Sequence, residues 1–193
     1  MHKTITLCFI LAFGNMAYAQ LFSYGPKIGV SFSSFSGSNA DISSGGSGTG
    51  FSFGFFIMKD FPGAYLHIEP TYTTGLGGSV TDNYSGQVFP IDDISTFGLP
   101  IMFGKKISKV RFFFGVSPTG MMNSNKLAHL NPTYKIYFDY IVGVGVDLSN
   151  FFISARYSNA MVGGPVEINS GSEPFFLKVP QISLNVGLKL NKN

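Results

Sequence analysis

A period-two alternation of apolar and polar residues, repeated eight times, restricts the fold of this chain more than any other feature. In the clearest segment, every second residue from Tyr134 to Leu148 is apolar, and the opposite row contains Lys135, Asp139 and Asp147. Successive side chains of a β-strand point to opposite faces, so this period predicts strands with one apolar and one polar face. The predicted strands are Tyr24–Ser33, Phe51–Ile57, Leu66–Thr73, Phe97–Gly104, Val110–Ser117, Tyr134–Leu148, Phe151–Ser158 and Gln181–Leu190.

The connections between these segments alternate in length. Three are short: 59–63, 105–109 and 148–150. Four are long and rich in Gly, Ser and Asn: 36–49, 74–92, 121–133 and 160–174. An even number of strands with short turns on one side and long loops on the other is the arrangement of outer-membrane barrels. The sequence therefore predicts an all-β fold, an eight-stranded antiparallel up-and-down transmembrane β-barrel, with both ends of the mature chain on the periplasmic side.

A soluble eight-stranded barrel of the lipocalin type is the alternative fold. Its exterior would need many Lys and Glu residues, but charged residues make up only 12% of this chain and the polar rows are mostly Gly, Ser and Thr. The membrane alternative is favoured, with the apolar row facing lipid. Aromatic residues near the strand ends are then expected at the membrane interfaces. We expect Tyr72, Tyr134 and Phe35 at the outer rim, and Tyr65 and Phe151 at the inner rim.

The first 19 residues have the features of a secretory signal peptide. Lys3 precedes the apolar stretch 5–13, and Ala17 and Ala19 form a small-x-small cleavage site. We expect residues 1–19 to be removed and residues 20–193 to form the barrel. Removal takes away one of 13 basic residues and none of the 10 acidic ones, so the mature net charge is +2. This charge is too small to indicate a nucleic-acid partner. The mature chain also contains no cysteine, which excludes disulfides.

Charged residues on the polar rows are predicted to meet inside the barrel. A buried charge is costly unless it is paired, so the acidic residues are expected to be partners of the basic ones in a structural cluster that fills the lumen. Gly143, opposite Arg156 in the predicted hairpin, would leave room for the guanidinium group. A proton or ion pathway is the alternative role. The predicted cluster consists of Lys27, Glu69, Arg111, Asp139, Asp147 and Arg156.

The sequence does not predict a catalytic, cofactor or metal site. His67, Glu69 and Ser117 share the polar face, and such a set occurs in outer-membrane lipid A deacylases. A deacylase needs its nucleophile at the lipid-facing rim, whereas these residues are predicted to face the lumen. The other mature histidine, His129, lies in a loop without a suitably spaced metal ligand. We therefore expect a protein that is not an enzyme and that uses no cofactor.

Several short motifs, in order, resemble the PorT-type outer-membrane β-barrel family of Bacteroidota. The resemblance covers nearly all of the mature chain, although its last residues, 188–193, lack the aromatic end that such barrels usually have. It implies an outer-membrane location and an eight-stranded barrel, and the family's named member is tied to type IX secretion. The motifs are Gly25–Val30, Tyr65–Pro70, Gly98–Ile101, Gly143–Leu148 and Ala155–Ser158.

Three functions follow as hypotheses. The first is a membrane anchor or accessory subunit of an envelope complex for secretion or outer-membrane assembly. The second is a small pore or a ligand-carrying barrel, and the third, which is less favoured, is a lipid-modifying enzyme. Expected partners are outer-membrane lipid, including lipopolysaccharide, and other envelope proteins.

Overall fold

A computed structural model describes residues 22–34, 42–83, 86–123, 133–134, 136–161, 166–170 and 173–190. The signal-peptide segment 1–19 lies outside the described residues, so its cleavage stays a prediction. No helix among the described residues is long and apolar enough to cross a membrane. The strands are β1 (Phe22–Ser34), β2 (Ile42–Gly45), β3 (Ser47–Phe61), β4 (Ala64–Ile68), β5 (Thr71–Asp82), β6 (Val88–Gly98), β7 (Ile101–Ile107), β8 (Val110–Asn123), β9 (Thr133–Tyr134), β10 (Tyr137–Leu148), β11 (Phe151–Ala160), β12 (Val166–Ser170), β13 (Glu173–Leu177) and β14 (Gln181–Leu188).

The main sheet closes into an eight-stranded antiparallel barrel, as the alternation predicts. The eight wall strands are β1, β3, β4 with β5, β6 with β7, β8, β10, β11 and β14. Closure comes from the pairing of β14 with β1, in which Lys27 lies opposite Gly187 and Phe32 opposite Ile182. A closed wall leaves no unpaired sheet edge, which is a requirement for strands that cross a bilayer.

Prolines interrupt the third and fourth wall strands. Pro70 separates β4 from β5, and Pro100 separates β6 from β7. Proline has no N–H to donate to a β-ladder. The carbonyl groups still take part, because the Glu69 amide donates to Pro100 O at 2.9 Å and the Phe55 amide to Pro70 O at 3.1 Å. The wall therefore stays hydrogen-bonded at both prolines.

The two ends of the barrel differ in the way that the sequence predicts. Turns at 62–63, 108–109 and 149–150 form the short-turn end, where Phe22 and Leu188 also lie. At the opposite, long-loop end, the strands extend further than the alternation indicates. β5 and β6 run on to Asp82 and Val88, so most of the segment expected as loop 74–92 is paired strand. β9, β12 and β13 form a separate three-stranded sheet, mostly at positions where the sequence analysis placed loops. Tyr134, predicted as the start of a wall strand, lies in this sheet, and the wall strand β10 begins at Tyr137.

The barrel has an apolar exterior and a polar interior. Along β10, Phe138, Tyr140, Val142, Val144 and Val146 are all between 37% and 54% exposed, while the residues between them are buried or half-buried. The same alternation holds in β3, where Phe51–Ile57 presents every second side chain to the outside. An extended apolar surface of this kind fits hydrocarbon and would be unstable in water.

Candidate functional site: a charged and closed lumen

Glu69 lies at the centre of the lumen and is fully buried. It follows β4 directly and faces inward with His67. Arg156 from β11 binds it in a bidentate pair, with Nη1 2.7 Å from Oε2 and Nη2 3.0 Å from Oε1. Lys27 from β1 donates its Nζ to Oε2 at 2.7 Å and to Thr71 Oγ1 at 3.0 Å. His67 Nε2 lies 3.0 Å from Oε1. Glu69, Lys27, Arg156 and His67 are called the Glu69 cluster below.

A second group of charges, the Asp147 cluster, closes the short-turn end of the lumen. Asp147 Oδ1 lies 2.9 Å from Lys189 Nζ and 3.3 Å from Arg111 Nη2, and Oδ2 lies 3.0 Å from Lys106 Nζ. Lys106 also approaches the exposed Asp60 at 4.0 Å. Arg111 is buried, and its Nη1 lies 2.8 Å from Met58 Sδ. One carboxylate therefore neutralises part of the charge of three cations from three different strands or strand ends.

Aromatic rings fill the space between the two clusters. Phe152 packs edge-on against Phe56 and His67, with ring centroids 4.9 and 5.4 Å apart. The Arg111 guanidinium lies 4.5 Å from the centroid of Phe152 and 5.4 Å from that of Tyr65, which is favourable for a cation over an aromatic face. Aromatic side chains and the charges above and below them therefore form one packed plug. The buried apolar residues of this aromatic plug are Phe56, Met58, Tyr65, Met102, Phe113, Ile141 and Phe152.

Tyr65 corrects one expectation of the sequence analysis. It was expected at the inner membrane interface, but it is 1% exposed and belongs to the aromatic plug. It has the same parity as His67 in β4, so its side chain points into the lumen. Being aromatic and near a strand end was a weaker signal than strand parity.

Glycines on the inner wall make room for the aromatic rings. A Cβ atom at Gly143 would overlap the ring of Phe113, one at Gly104 would overlap Tyr65, and one at Gly187 would overlap Phe152. Gly143 pairs with Arg156, as expected from the hairpin. The space that it leaves is taken by Phe113, however, and the Arg156 guanidinium stands 5.8 Å from the centroid of that ring. The glycine thus accommodates the guanidinium only indirectly.

Asp139 differs from its expected role. The sequence analysis expected it to be a partner of a basic residue in the cluster. Among the described residues it instead accepts a hydrogen bond from Thr119 Oγ1 at 3.0 Å, and no ion pair joins it to Lys27, Arg111 or Arg156. β10 carries Asp139 close to its long-loop end, whereas Asp147 lies at the opposite end of the same strand. The eight-residue separation places the two carboxylates at different depths.

Asp139 lines a polar cavity of about 60 Å³ in the half of the lumen nearer the long loops. Lys27 and Arg156 also line this cavity, and hydroxyl groups dominate the rest of its wall. A water molecule occupies about 30 Å³ in the liquid, so the space suits a few waters. The hydroxyl-bearing residues are Ser31, Ser52, Thr71, Thr73, Thr96, Ser117, Thr119, Ser158 and Ser183.

The geometry does not assemble a hydrolase from His67, Glu69 and Ser117. His67 contacts Glu69 and the aromatic plug, whereas Ser117 lines the cavity and its Oγ lies 3.1 Å from Thr119 Oγ1. Both Glu69 oxygens already face cations. All three residues are buried in the lumen, away from the lipid-facing surface. Among the described residues, no group of three or more His, Cys, Asp or Glu side chains could hold a metal ion. Lys135 and His129 lie outside the described residues.

Comparison with solved structures defines the fold. Neisserial surface protein A superposes with a TM-score of 0.53 at 13% identity, over 86% of this chain and 97% of that one. Ail, the attachment invasion locus protein of Yersinia pestis, superposes with a TM-score of 0.50 at 12% identity, over 88% of this chain and 99% of that one. The chain has the fold of an eight-stranded outer-membrane β-barrel. Neither name describes an enzyme, and identities this low carry the fold alone.

No family model matches the sequence, and no curated protein matches it. The resemblance to the PorT-type family of Bacteroidota therefore stays a prediction. Its coarser content, an outer-membrane type of barrel, agrees with the structural neighbours. The specific link to secretion is not part of that agreement.

Proposed function

We propose that the protein is a non-enzymatic outer-membrane β-barrel that serves as an anchor or accessory subunit of an envelope complex. The apolar exterior and the fold of the two structural neighbours support the outer-membrane location. In the orientation that is usual for such barrels, the short-turn end faces the periplasm and the long-loop end faces the outside of the cell. Partners are outer-membrane lipid, including lipopolysaccharide, and other envelope proteins.

The closed lumen is the observation that carries this proposal. The Glu69 cluster, the aromatic plug and the Asp147 cluster follow one another along the barrel axis, and each contains side chains that are almost fully buried. An eight-stranded barrel has an interior only just wide enough for side chains. With that interior filled, what remains for interaction is the outer wall and the loops. We therefore expect the protein to act by binding other molecules at its outer wall and loops, and not by transporting solutes through its lumen.

Planar-bilayer recording of the purified protein provides the first test. We expect no steady conductance on the scale of a porin, since buried side chains of the two clusters and of the aromatic plug fill the described part of the lumen. A variant with Arg111→Ser and Phe152→Ser removes two large side chains from the lumen. Its conductance is compared with that of the unaltered protein. Stable large conductance of the unaltered protein would contradict the anchor proposal and favour a pore.

Capture of partners from detergent-solubilised outer membrane provides the second test. A tag at the end of the chain should recover specific envelope proteins, whereas a tagged unrelated eight-stranded barrel of the same size should not. Deletion is expected to change the secretion or assembly of other envelope proteins more than nutrient uptake. Recovery of the barrel alone, together with unchanged secretion in the deletion strain, would contradict a role in a complex.

A ligand-carrying barrel is the second candidate, and the polar cavity favours it. The cavity of about 60 Å³ is lined by Asp139, Lys27 and Arg156 together with hydroxyl groups. Its volume is well below that of typical small-molecule sites, which measure roughly 300–1,000 Å³. The cavity thus suits water better than a metabolite, and the anchor role is the stronger proposal.

A further inference from the structure

Two lysines interrupt the apolar exterior of the barrel. Along β3, the outward row that begins with Phe51 continues to Lys59. Along β7, the outward row continues from Phe103 to Lys105. In the described parts of β1, β3, β4, β7, β8, β10, β11 and β14, these two are the charged residues at outward-facing strand positions. Both lie three residues before a turn of the short-turn end. Within these described strands, the outward-facing charge is therefore positive and lies near the short-turn end.

The two lysines lie in the same sector of the wall. Lys59 pairs with Leu66 on β4, and Leu66 pairs with Phe103 on β7, two residues before Lys105. Strands are spaced about 4.8 Å apart and rise about 3.4 Å per residue, so the two lysine backbones are separated by roughly 12 Å. Side chains of this length can converge on one headgroup across that distance. Asp60, which follows Lys59 in β3, has the opposite parity, and Lys106 Nζ lies 4.0 Å from its Oδ2.

Lys59 already shows the environment of an interfacial lysine. Its Nζ lies 5.0 Å from the ring centroid of Phe22 and 5.3 Å from that of Phe61. A lysine at the edge of an apolar wall buries its methylene chain against such rings and presents the ammonium group at headgroup level. Aromatic rings and lysines at one level are typical of the membrane interface.

An apolar groove leads from Lys105 up the wall. Its sides are Phe103, Phe112 and Phe114, which are 53%, 52% and 67% exposed, and Val142 on β10 continues it. The small side chain of Ala64 leaves a depression in the groove beside Lys105, because the neighbouring side chains are aromatic. The groove is therefore a strip of apolar wall with a cation at its periplasmic end.

We propose that this sector, formed by Lys59, Ala64, Phe103, Lys105, Phe112 and Phe114, binds an anionic phospholipid of the periplasmic leaflet. The phosphate lies at the two ammonium groups, and one acyl chain lies along the groove. The charge complementarity selects an anionic headgroup over a zwitterionic one, as basic sites at membrane interfaces do. The short-turn level selects the periplasmic leaflet over the lipopolysaccharide leaflet. The inference rests on the membrane location and orientation in the proposed function.

Native mass spectrometry of the purified barrel tests this site. The protein in detergent is mixed with equal amounts of phosphatidylglycerol and phosphatidylcholine that carry identical acyl chains. We expect phosphatidylglycerol to be retained preferentially, with a loss of roughly fivefold in retention for Lys59→Gln or Lys105→Gln and a larger loss for the double variant. Ala64→Leu fills the depression in the groove, and it should weaken retention of both lipids while the preference for phosphatidylglycerol remains.

Lys106→Gln is the matched control. It removes the same charge one residue away, but its side chain faces the lumen and binds Asp147. We expect it to keep the preference for phosphatidylglycerol, with correct folding of every variant checked by its mobility on gels before and after heating. Equal retention of both lipids by the unaltered protein, or equal losses in Lys106→Gln and the double variant, would overturn the lipid site.

Failure of the lipid site and failure of the proposed function have different signatures. A barrel that inserts into phosphatidylcholine vesicles but shows no preference for phosphatidylglycerol contradicts the site alone. A barrel that shows the preference but recovers no envelope partner contradicts the anchor role alone. A chain that does not insert into vesicles at all contradicts both.

Discussion

At Glu69, two cations and one imidazole surround a single carboxylate inside a wall that excludes bulk water. Both oxygens are used, because Arg156 spans them and Lys27 and His67 each approach one. Burying these charges carries a desolvation cost that only good geometry offsets. We therefore expect such a cluster to contribute more to a single defined packing of the lumen than to net stability. Removal of one member is more costly than replacement of the whole set.

Replacement of Arg156 by alanine should destabilise the barrel by about 3–5 kcal/mol, because it leaves buried charge poorly compensated. The measurement is unfolding by urea in lipid vesicles, with the temperature of the gel-mobility shift as a second readout. Lys109→Ala, in an exposed turn, is the control and should stay within about 0.5 kcal/mol. Glu69→Gln alone should cost at least as much as Arg156→Ala, because it leaves the Lys27 and Arg156 cations buried without their carboxylate. Unfolding of Arg156→Ala at the same urea concentration as the unaltered protein would refute the ion-paired lumen.

Gly143 supports a second prediction at the level of single residues. An alanine Cβ at this position would overlap the Phe113 ring and the Ala155 carbonyl, so Gly143→Ala should cost about 1–3 kcal/mol. Gly120→Ala is the control, because its nearest atom, in Ile136, is 3.9 Å from the added Cβ. Phe113→Leu combined with Gly143→Ala should be less destabilised than the sum of the two single variants. Equal unfolding midpoints for the two alanine variants would contradict the conclusion that Gly143 leaves space for the Phe113 ring.

Among the strands, parity was the most informative property of the sequence. It predicts the eight wall strands and the inward direction of Lys27, Glu69, Arg111 and Arg156, since an alternating row has only two faces. Parity also predicts that Tyr65 points inward, but its position near a strand end led to the wrong expectation that it lies at the membrane interface. Parity gives no information on depth along the barrel, and this is why Asp139 was expected beside a cation that lies at another level.

The aromatic plug and the extra strands were harder to predict for different reasons. Phe56, Phe113 and Phe152 interrupt the polar rows, and the glycines that receive them lie on other strands, so the fit appears only in three dimensions. β12 and β13 lie in a segment rich in Gly and Ser with no sustained alternation. A small sheet outside the barrel does not require a two-faced pattern.

Val144 in β10 tests what surrounds the wall. Its side chain is 40% exposed and faces outward near the middle of the apolar surface. In a bilayer, Val144→Lys should cost about 2–4 kcal/mol, because the ammonium group meets hydrocarbon. Asn150→Lys, in the adjacent turn, is the control and should have little effect. A soluble barrel would tolerate Val144→Lys within about 0.5 kcal/mol, and that result in unfolding from lipid vesicles would contradict the membrane-spanning fold.

For the whole molecule, charge and shape follow the barrel axis. The short-turn end carries the Asp147 cluster and the two outward lysines, whereas the long-loop end carries the polar cavity and the tall β5–β6 hairpin. In the part of the chain that the structure describes, the two clusters and the aromatic plug fill the lumen between these ends. In the proposed orientation, this asymmetry would give the short-turn end contact with headgroups and periplasmic partners and the long-loop end contact with the cell exterior.

The orientation of this axis in the membrane can be tested on intact cells. A protease-cleavable tag near Gly46, at the long-loop end, or near Gly171, in a segment that the sequence predicts as a long loop, should be cut by protease added from outside. The same tag in the turn 105–109 should be protected until the outer membrane is permeabilised, because short turns face the periplasm in barrels of this type. Equal amounts of folded barrel, judged by the gel-mobility shift on heating, show that each insertion is tolerated. Cleavage of the turn tag on intact cells with protection of both loop tags would reverse the orientation, and the outward lysines would then face the lipopolysaccharide leaflet.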